Sequence, residues 1–96
     1  MNVVFAPRAL RDLTNIDTYL TEQSPAGALR VLTGIKSSIA ALEAFPEIGR
    51  AVDDEGHRRL PVFNFPYVIF YRLAGDDVII LHIRHTSRRP VDPSHL

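Results

Sequence analysis

Five side chains that bind anions or move protons fall within eight residues: His82, Arg84, His85, Arg88 and Arg89. Arg58, Arg59 and Arg72 lie upstream of them. Arginine forks onto carboxylate or phosphate, and histidine titrates near neutrality. Together they suggest handling of a phosphodiester, with His85 as general base, Arg88 as phosphate clamp and Arg59 as a further cation. A structural reading stands beside that one. Ile79, Leu81, Ile83 and His85 share one strand face by period-two alternation, so His85 ends a core face and hydrogen-bonds the backbone. His82 and Arg84 then fall on the other face with Val78 and Ile80, where acid–base work and partner contact fit equally well. Arg72 is expected to pair with Asp76 or Asp77. Arg58 and Arg59 are adjacent, so on a strand they face opposite sides and cannot share a shallow site without a bulge. Two histidines without an adjacent carboxylate do not make a metal site, and neither metal nor cofactor is expected.

These groups need rigid carriers. Tyr67–Leu73 and Val78–Ile83 are rich in Val, Ile, Tyr and Phe and flank Ala74-Gly75-Asp76-Asp77, which predicts a β-hairpin with a short loop. The second run is apolar almost throughout, as in a central strand covered on both faces. Val3-Val4-Phe5 reads as a short strand before Pro7. From Arg8 to Gln23, Leu10, Leu13, Ile16 and Leu20 recur at helical spacing with Tyr19 at their margin. Ser24 suits an N-cap and Pro25 the first helical position. Leu29, Leu32, Ile35, Ile39 and Leu42, supported by Ala28 and Ala40, mark a second stripe that Phe45-Pro46 closes. Residues 47–56 are turn-rich, and Gly49 and Arg50 are read as fixing that turn. His57–Phe63 is a strand that Pro61 confines to an edge or a bulge. The tail after Arg89 reads as irregular. The order is β-α-α-β-β-β: an α+β fold with a helical hairpin on one face of a mostly antiparallel, four-stranded sheet.

Ninety-six residues suit one small domain spanning 1–96. Cysteine is absent, which excludes disulfides and thiolate metal sites. No run resembles a secretory signal or a membrane span, so a cytoplasmic protein without membrane partners is expected. Net charge is zero, yet residues 1–55 carry five basic against eight acidic groups, and residues 56–96 carry six arginines against three aspartates. That asymmetry is either ordinary surface charge or a surface for an anionic partner.

The element order and several local patterns together resemble the RelE/ParE superfamily of bacterial type II toxins. The carrying residues are Phe45-Pro46-Glu47-Ile48-Gly49-Arg50, His57-Arg58-Arg59-Leu60, Tyr67-Val68-Ile69-Phe70-Tyr71-Arg72, Asp77-Val78-Ile79-Ile80-Leu81 and His85-Thr86-Ser87-Arg88. The resemblance runs from Phe5 to Arg88, and the His85-x-x-Arg88 ending is nearer ParE than RelE. It implies a toxin encoded beside a cognate antitoxin whose disordered segment folds on the toxin, giving a hetero-oligomer. RelE-like members cleave ribosome-bound mRNA; ParE-like members poison DNA gyrase.

The RelE-like nuclease set comprises two second-strand lysines, an arginine early in the third strand, another after the fourth and a late tyrosine. Here Arg59 stands for the first lysine, but Pro61 falls at the second and Val68 at the third-strand arginine. No tyrosine follows Tyr71, and Arg88 replaces the last arginine only with a shift in register. The expectation is therefore a gyrase-binding toxin whose contacts to target or antitoxin come from Arg58, Arg59, Arg72, His82, Arg84, His85, Arg88 and Arg89. The alternatives are a ribonuclease using His85, Arg88 and Arg59, and a degenerate member that only binds antitoxin.

Overall fold

The computed structural model describes residues 1–86, so Arg88, Arg89 and the expected irregular tail lie outside the described residues. The elements are β1 (Asn2–Phe5), α1 (Pro7–Gln23), α2 (Pro25–Ala44), β2 (Arg50–Ala51), β3 (His57–Pro61), β4 (Tyr67–Ala74) and β5 (Asp77–His85). The strands form one sheet in the order β1-β5-β4-β3-β2, with β1 parallel to β5 and the other neighbours antiparallel. The α+β layering agrees with the sequence, but the sheet has five strands where four are expected. The extra strand is β2, whose Arg50 and Ala51 pair with Arg59 and Arg58. Two residues are too few to show a period.

Both helices start as their residues dictate. Pro7 and Pro25 occupy first-turn positions, and the Ser24 hydroxyl accepts the Gly27 N–H at 3.1 Å. The buried stripes differ from the expected ones in phase. In α1 the stripe is Ala9, Leu13, Ile16 and Leu20, so Leu10 lies about 100° round the helix and is exposed. In α2 it is Ala28, Val31, Ile35, Ile39 and Leu42. Leu29 and Ala40 are accordingly exposed rather than supporting the core.

The helices cover one face of the sheet. Tyr67, Ile69 and Tyr71 of β4 meet Ile83, Ile80 and Val78 of β5 in that core. Along β5 the alternation breaks, because Phe70 pairs with His82 while Tyr71 pairs with Ile80, leaving Leu81 as an extra residue. This bulge overturns the expected face assignment. Val78 and Ile80 are core residues with no exposed surface, Ile79 faces away, and Leu81 sits half-buried at the bulge. Beyond the bulge Ile83 returns to the core, and His85 lies opposite Tyr67. The edge of β5 past the end of β1 is also filled: the Ile83 N–H donates to Asp12 Oδ2 of α1 at 2.9 Å.

Candidate functional site

The opposite face of the sheet carries no helix among the described residues, and cross-strand pairing sets what it displays. His82 lies opposite Phe70, Phe70 opposite Arg59, and Arg59 opposite Arg50. The next row places Arg84 opposite Val68, and the row before it places Arg72 between His57 and Ile79. The Phe70 and His82 rings stack with centroids 4.4 Å apart and planes 14° apart. The Arg84 guanidinium lies 5.3 Å from the Phe70 centroid, a cation–π contact. The bulge at Leu81 makes this constellation, since it holds His82 and Arg84 on the outer face while Val78 and Ile80 point inward.

His82 is the most perturbed group of that face. Burial lowers its pKa, and the charges of Arg8 and Arg84 lower it further against the opposing pull of Asp12. The ring is therefore neutral near pH 7. Its Nδ1 is buried with no hydrogen-bond partner among the described residues. The face thus combines Arg50, Arg59, Arg72 and Arg84 with an aromatic stack, a surface suited to phosphate or carboxylate.

The other expected residues divide differently. His85 lies on the helix side, its ring edge-on to Tyr67 with centroids 5.1 Å apart, beside clefts bordered by Tyr19 of α1. His85 and Arg59 consequently project from opposite faces of the sheet and do not converge on one phosphate. Arg72 makes no ion pair with Asp76 or Asp77; among the described residues the ion pair is His57–Asp53, at 2.6 Å.

Arg58 also leaves the site. It points to the helix side and donates to the carbonyls of Gly49, at 2.7 Å, and Glu47, at 3.2 Å. The Tyr71 hydroxyl completes this lock, donating to Pro46 O at 2.8 Å and accepting the Gly49 N–H at 2.9 Å. Burial raises the Tyr71 pKa, with the Gly49 hydrogen bond and Arg58 opposing. A Cβ on Gly49 would collide with the Tyr71 ring, so the close approach requires glycine there.

Asp53, Glu55 and His57 bring possible ligand atoms within 4.8 Å of one another. Their arrangement is accounted for by hydrogen bonding. Asp53 accepts from the Glu55 and His57 N–H groups and from the His57 ring. Burial works to raise its carboxyl, but these hydrogen bonds and the His57 charge hold it below its ordinary value.

Comparison with known proteins decides the family. Residues 3–90 match the family described as the ParE toxin of the type II toxin–antitoxin system parDE. The chain belongs to the ParE toxin family. The chain is 41% identical to "Toxin RelE2" of Caulobacter vibrioides over 86 residues, covering 90% of this chain and 96% of that one. It is 35% identical to "Putative toxin Y4kP" of Sinorhizobium fredii over 82 residues, covering 85% and 84%. A solved structure titled "Chromosomal ParDE TA system from P. aeruginosa" superposes with a TM-score of 0.74 at 26% identity, over 88% of this chain and 95% of that one. The isolated E. coli RelE toxin shares the fold, with a TM-score of 0.65 at 14% identity, over 92% and 86%.

Within this ParE-family fold, no helix of the described residues is long and apolar enough to cross a membrane. Sequence reasoning placed Arg59, His82 and Arg84 among the candidates but missed Phe70, the ring they surround. Phe70 alternates with Ile69 and Tyr71 in the run that was read, and that alternation could have placed it on the outer face. Arg50 was assigned to the turn, and only its pairing with Arg59 brings it to this face.

Proposed function

We propose that this ParE-family toxin acts in the bacterial cytoplasm by binding DNA gyrase through its open sheet face and is neutralised by a cognate antitoxin in a hetero-oligomer. One observation supports the choice of binding over cleavage: His85 and Arg59 lie on opposite faces, so the expected general base and that cation do not meet. Arg59, Arg72 and Arg84 instead gather around a stacked Phe70–His82 pair, as suits contact spread over a macromolecular surface. The family match and the ParDE likeness support an antitoxin partner.

Induced expression in a susceptible host tests this. A DNA-damage response with intact transcripts, and inhibited supercoiling by purified toxin, is the expected result. Toxicity should fall in steps as Arg59 and Arg84 are replaced, and His85→Ala should act only through packing at the end of β5. A second reading, cleavage of ribosome-bound mRNA, is favoured by neutral His82 sharing a face with Arg59 and Arg84. Transcript cleavage by purified toxin on ribosomes, lost on His82→Ala in a folded protein, would establish that reading in place of the first.

A further inference from the structure

Past its bulge β5 loses its neighbour on one side. β1 pairs with it only as far as Ile80, and the chain then turns into α1 at Pro7. Up to that point β1 meets the β5 backbone: the Asn2 N–H donates to Asp76 O at 3.0 Å and the Ala6 N–H to Ile80 O at 2.9 Å. Beyond the bulge the Ile83 N–H points to the same side, in a residue only 2% exposed. A buried N–H without an acceptor is costly. Asp12 Oδ2, from the second turn of α1, accepts it at 2.9 Å. Asp12 makes no ion pair among the described residues, so no other charge holds its carboxylate. One helix side chain thus continues the line of hydrogen bonds where β1 stops.

We propose that Asp12 is a positioning residue of the open face: its hydrogen bond to the Ile83 N–H fixes the phase of β5 after Leu81 and so presents His82 and Arg84 beside Phe70 to the target. The inference rests on the target-binding reading of that face and names what holds the face in register. Along a strand the direction of each N–H and the face of its side chain alternate together. With the Ile83 N–H on the β1 side and its side chain in the core, His82 and Arg84 must project outward. If the bulge were lost or moved past Ile83, this phase would reverse. Ile83 would turn outward, its N–H would face β4 and leave Asp12, and His82 would turn inward. The His82–Phe70 stack and the Arg84 contact with that ring therefore belong to the phase that Asp12 holds. Asp12 lines a cleft on the helix side with Tyr67 and His85, so it acts from behind the face rather than on it. Its charge reaches His82 all the same, favouring the ring proton against Arg8 and Arg84.

The full chain carrying Asp12→Ala or Asp12→Asn tests this, by NMR on the toxin alone and by binding to purified gyrase. Asp12→Ala should speed exchange of the Ile83 amide by about tenfold or more relative to the amides that pair β5 with β4. The His82 ring protons, shielded by the stacked Phe70 ring, should shift downfield, and gyrase affinity should fall. Asp12→Asn keeps an oxygen acceptor at the same reach without the charge, and should restore the amide protection, the ring shifts and the affinity. A general loss of stability would instead speed all β5 amides together and leave the ring shifts and affinity as in wild type; that result would overturn the proposal. So would weaker binding by Asp12→Ala with unchanged ring shifts, which would make Asp12 a direct contact. An Asp12→Asn protein that behaves like Asp12→Ala would also overturn it, since the hydrogen bond would not be the cause. Should Asp12→Ala fail to fold, Asp12→Glu sets the carboxylate one methylene further out and should shift the same signals in the same direction; unchanged signals would count against the proposal. Failure of the wild-type toxin to bind gyrase would remove the target reading alone, because the amide and ring signals of the toxin decide by themselves whether Asp12 holds the face.

Discussion

Arg58 and Arg59 are neighbours in sequence and opposites in use. Arg58, on the helix side of β3, is committed to the carbonyls of Gly49 and Glu47, and beside it the Tyr71 hydroxyl both donates and accepts. The Tyr71 hydroxyl and the Arg58 guanidinium thus tie three backbone carbonyls and one N–H together, and the corner holds the chain where it leaves α2 and returns to the sheet. Arg59, on the outer face, lies opposite Phe70, beside a stack whose imidazole retains a buried nitrogen without a partner among the described residues. Hydrogen bonds made inside the fold are not available to a ligand. Strand phase thus decides which arginine stabilises and which is left for recognition, and closeness along the chain decides nothing.

The largest effects should come from breaking the closed corner. Tyr71 has no exposed surface, and Tyr71→Ala should cost about 3–5 kcal/mol, as for other buried aromatic truncations. Tyr71→Phe keeps the ring but leaves the Gly49 N–H and the Pro46 carbonyl without their hydroxyl, and should cost about 1–3 kcal/mol. Urea unfolding measures both. A Tyr71→Phe protein within 0.5 kcal/mol of wild type, a difference ordinary for surface changes, would show that the hydroxyl is not a lock.

The corner and the face were legible to different degrees. Apolar periodicity gave both helices, the hairpin and the layer arrangement, because burial of one stripe or one run leaves a regular trace. It misplaced Leu10, Leu29 and Ala40, because a stripe is easily read one residue out of phase: Ala9 is the buried member beside Leu10, and in α2 the stripe takes Val31 with Ala28. It could not see β2, which is two residues long, or the parallel pairing of β1 with β5, which joins opposite ends of the chain. The consequential failure was Leu81. A single bulge reverses the phase of the residues before it relative to those after it, and no residue type there announces it. His82 and His85 project from opposite faces of the sheet, and the chemistry that joined His85 to Arg59 was not available to the folded chain. Residues 47–56 were readable as turn-rich, but the clamp on Glu47 and Gly49 needed Tyr71 and Arg58 from the strands that follow.

A middle-sized test sets the two arginines directly against each other. Arg58→Ala removes a charged donor from two carbonyls and should destabilise by about 1.5–3 kcal/mol. Arg59→Ala should stay within about 0.5 kcal/mol of wild type, since it is exposed and makes no ion pair among the described residues. Growth inhibition should show the reverse order once expression is matched: Arg59→Ala should weaken the toxin more per folded molecule. Unfolding curves and growth assays on the same pair of variants measure this. If Arg59→Ala proves the more destabilising, the assignment of faces along β3 is wrong.

The smallest expected effect is the pH dependence that His82 gives the open face. Its folded pKa lies below the ordinary value of 6.5, chiefly through burial, then through Arg8 and Arg84, with Asp12 opposing. Above 6.5 the ring is neutral in both folded and unfolded chains, so its contribution to stability is whole. As pH falls below 6.5 the unfolded chain takes up the proton first, and stability is lost until the folded pKa is passed. His82→Phe keeps an aromatic partner for Phe70 but cannot titrate. The wild-type melting temperature should therefore fall more steeply than that of His82→Phe between pH 7.5 and 5. The two proteins share every other side chain, so the difference between the two curves isolates His82. A difference that stays flat across this range would mean that His82 is not held neutral by its surroundings. A wild-type protein that gains stability relative to His82→Phe on acidification would reverse the sign. The ring would then be cationic in the folded protein, with Asp12 outweighing burial and the two arginines.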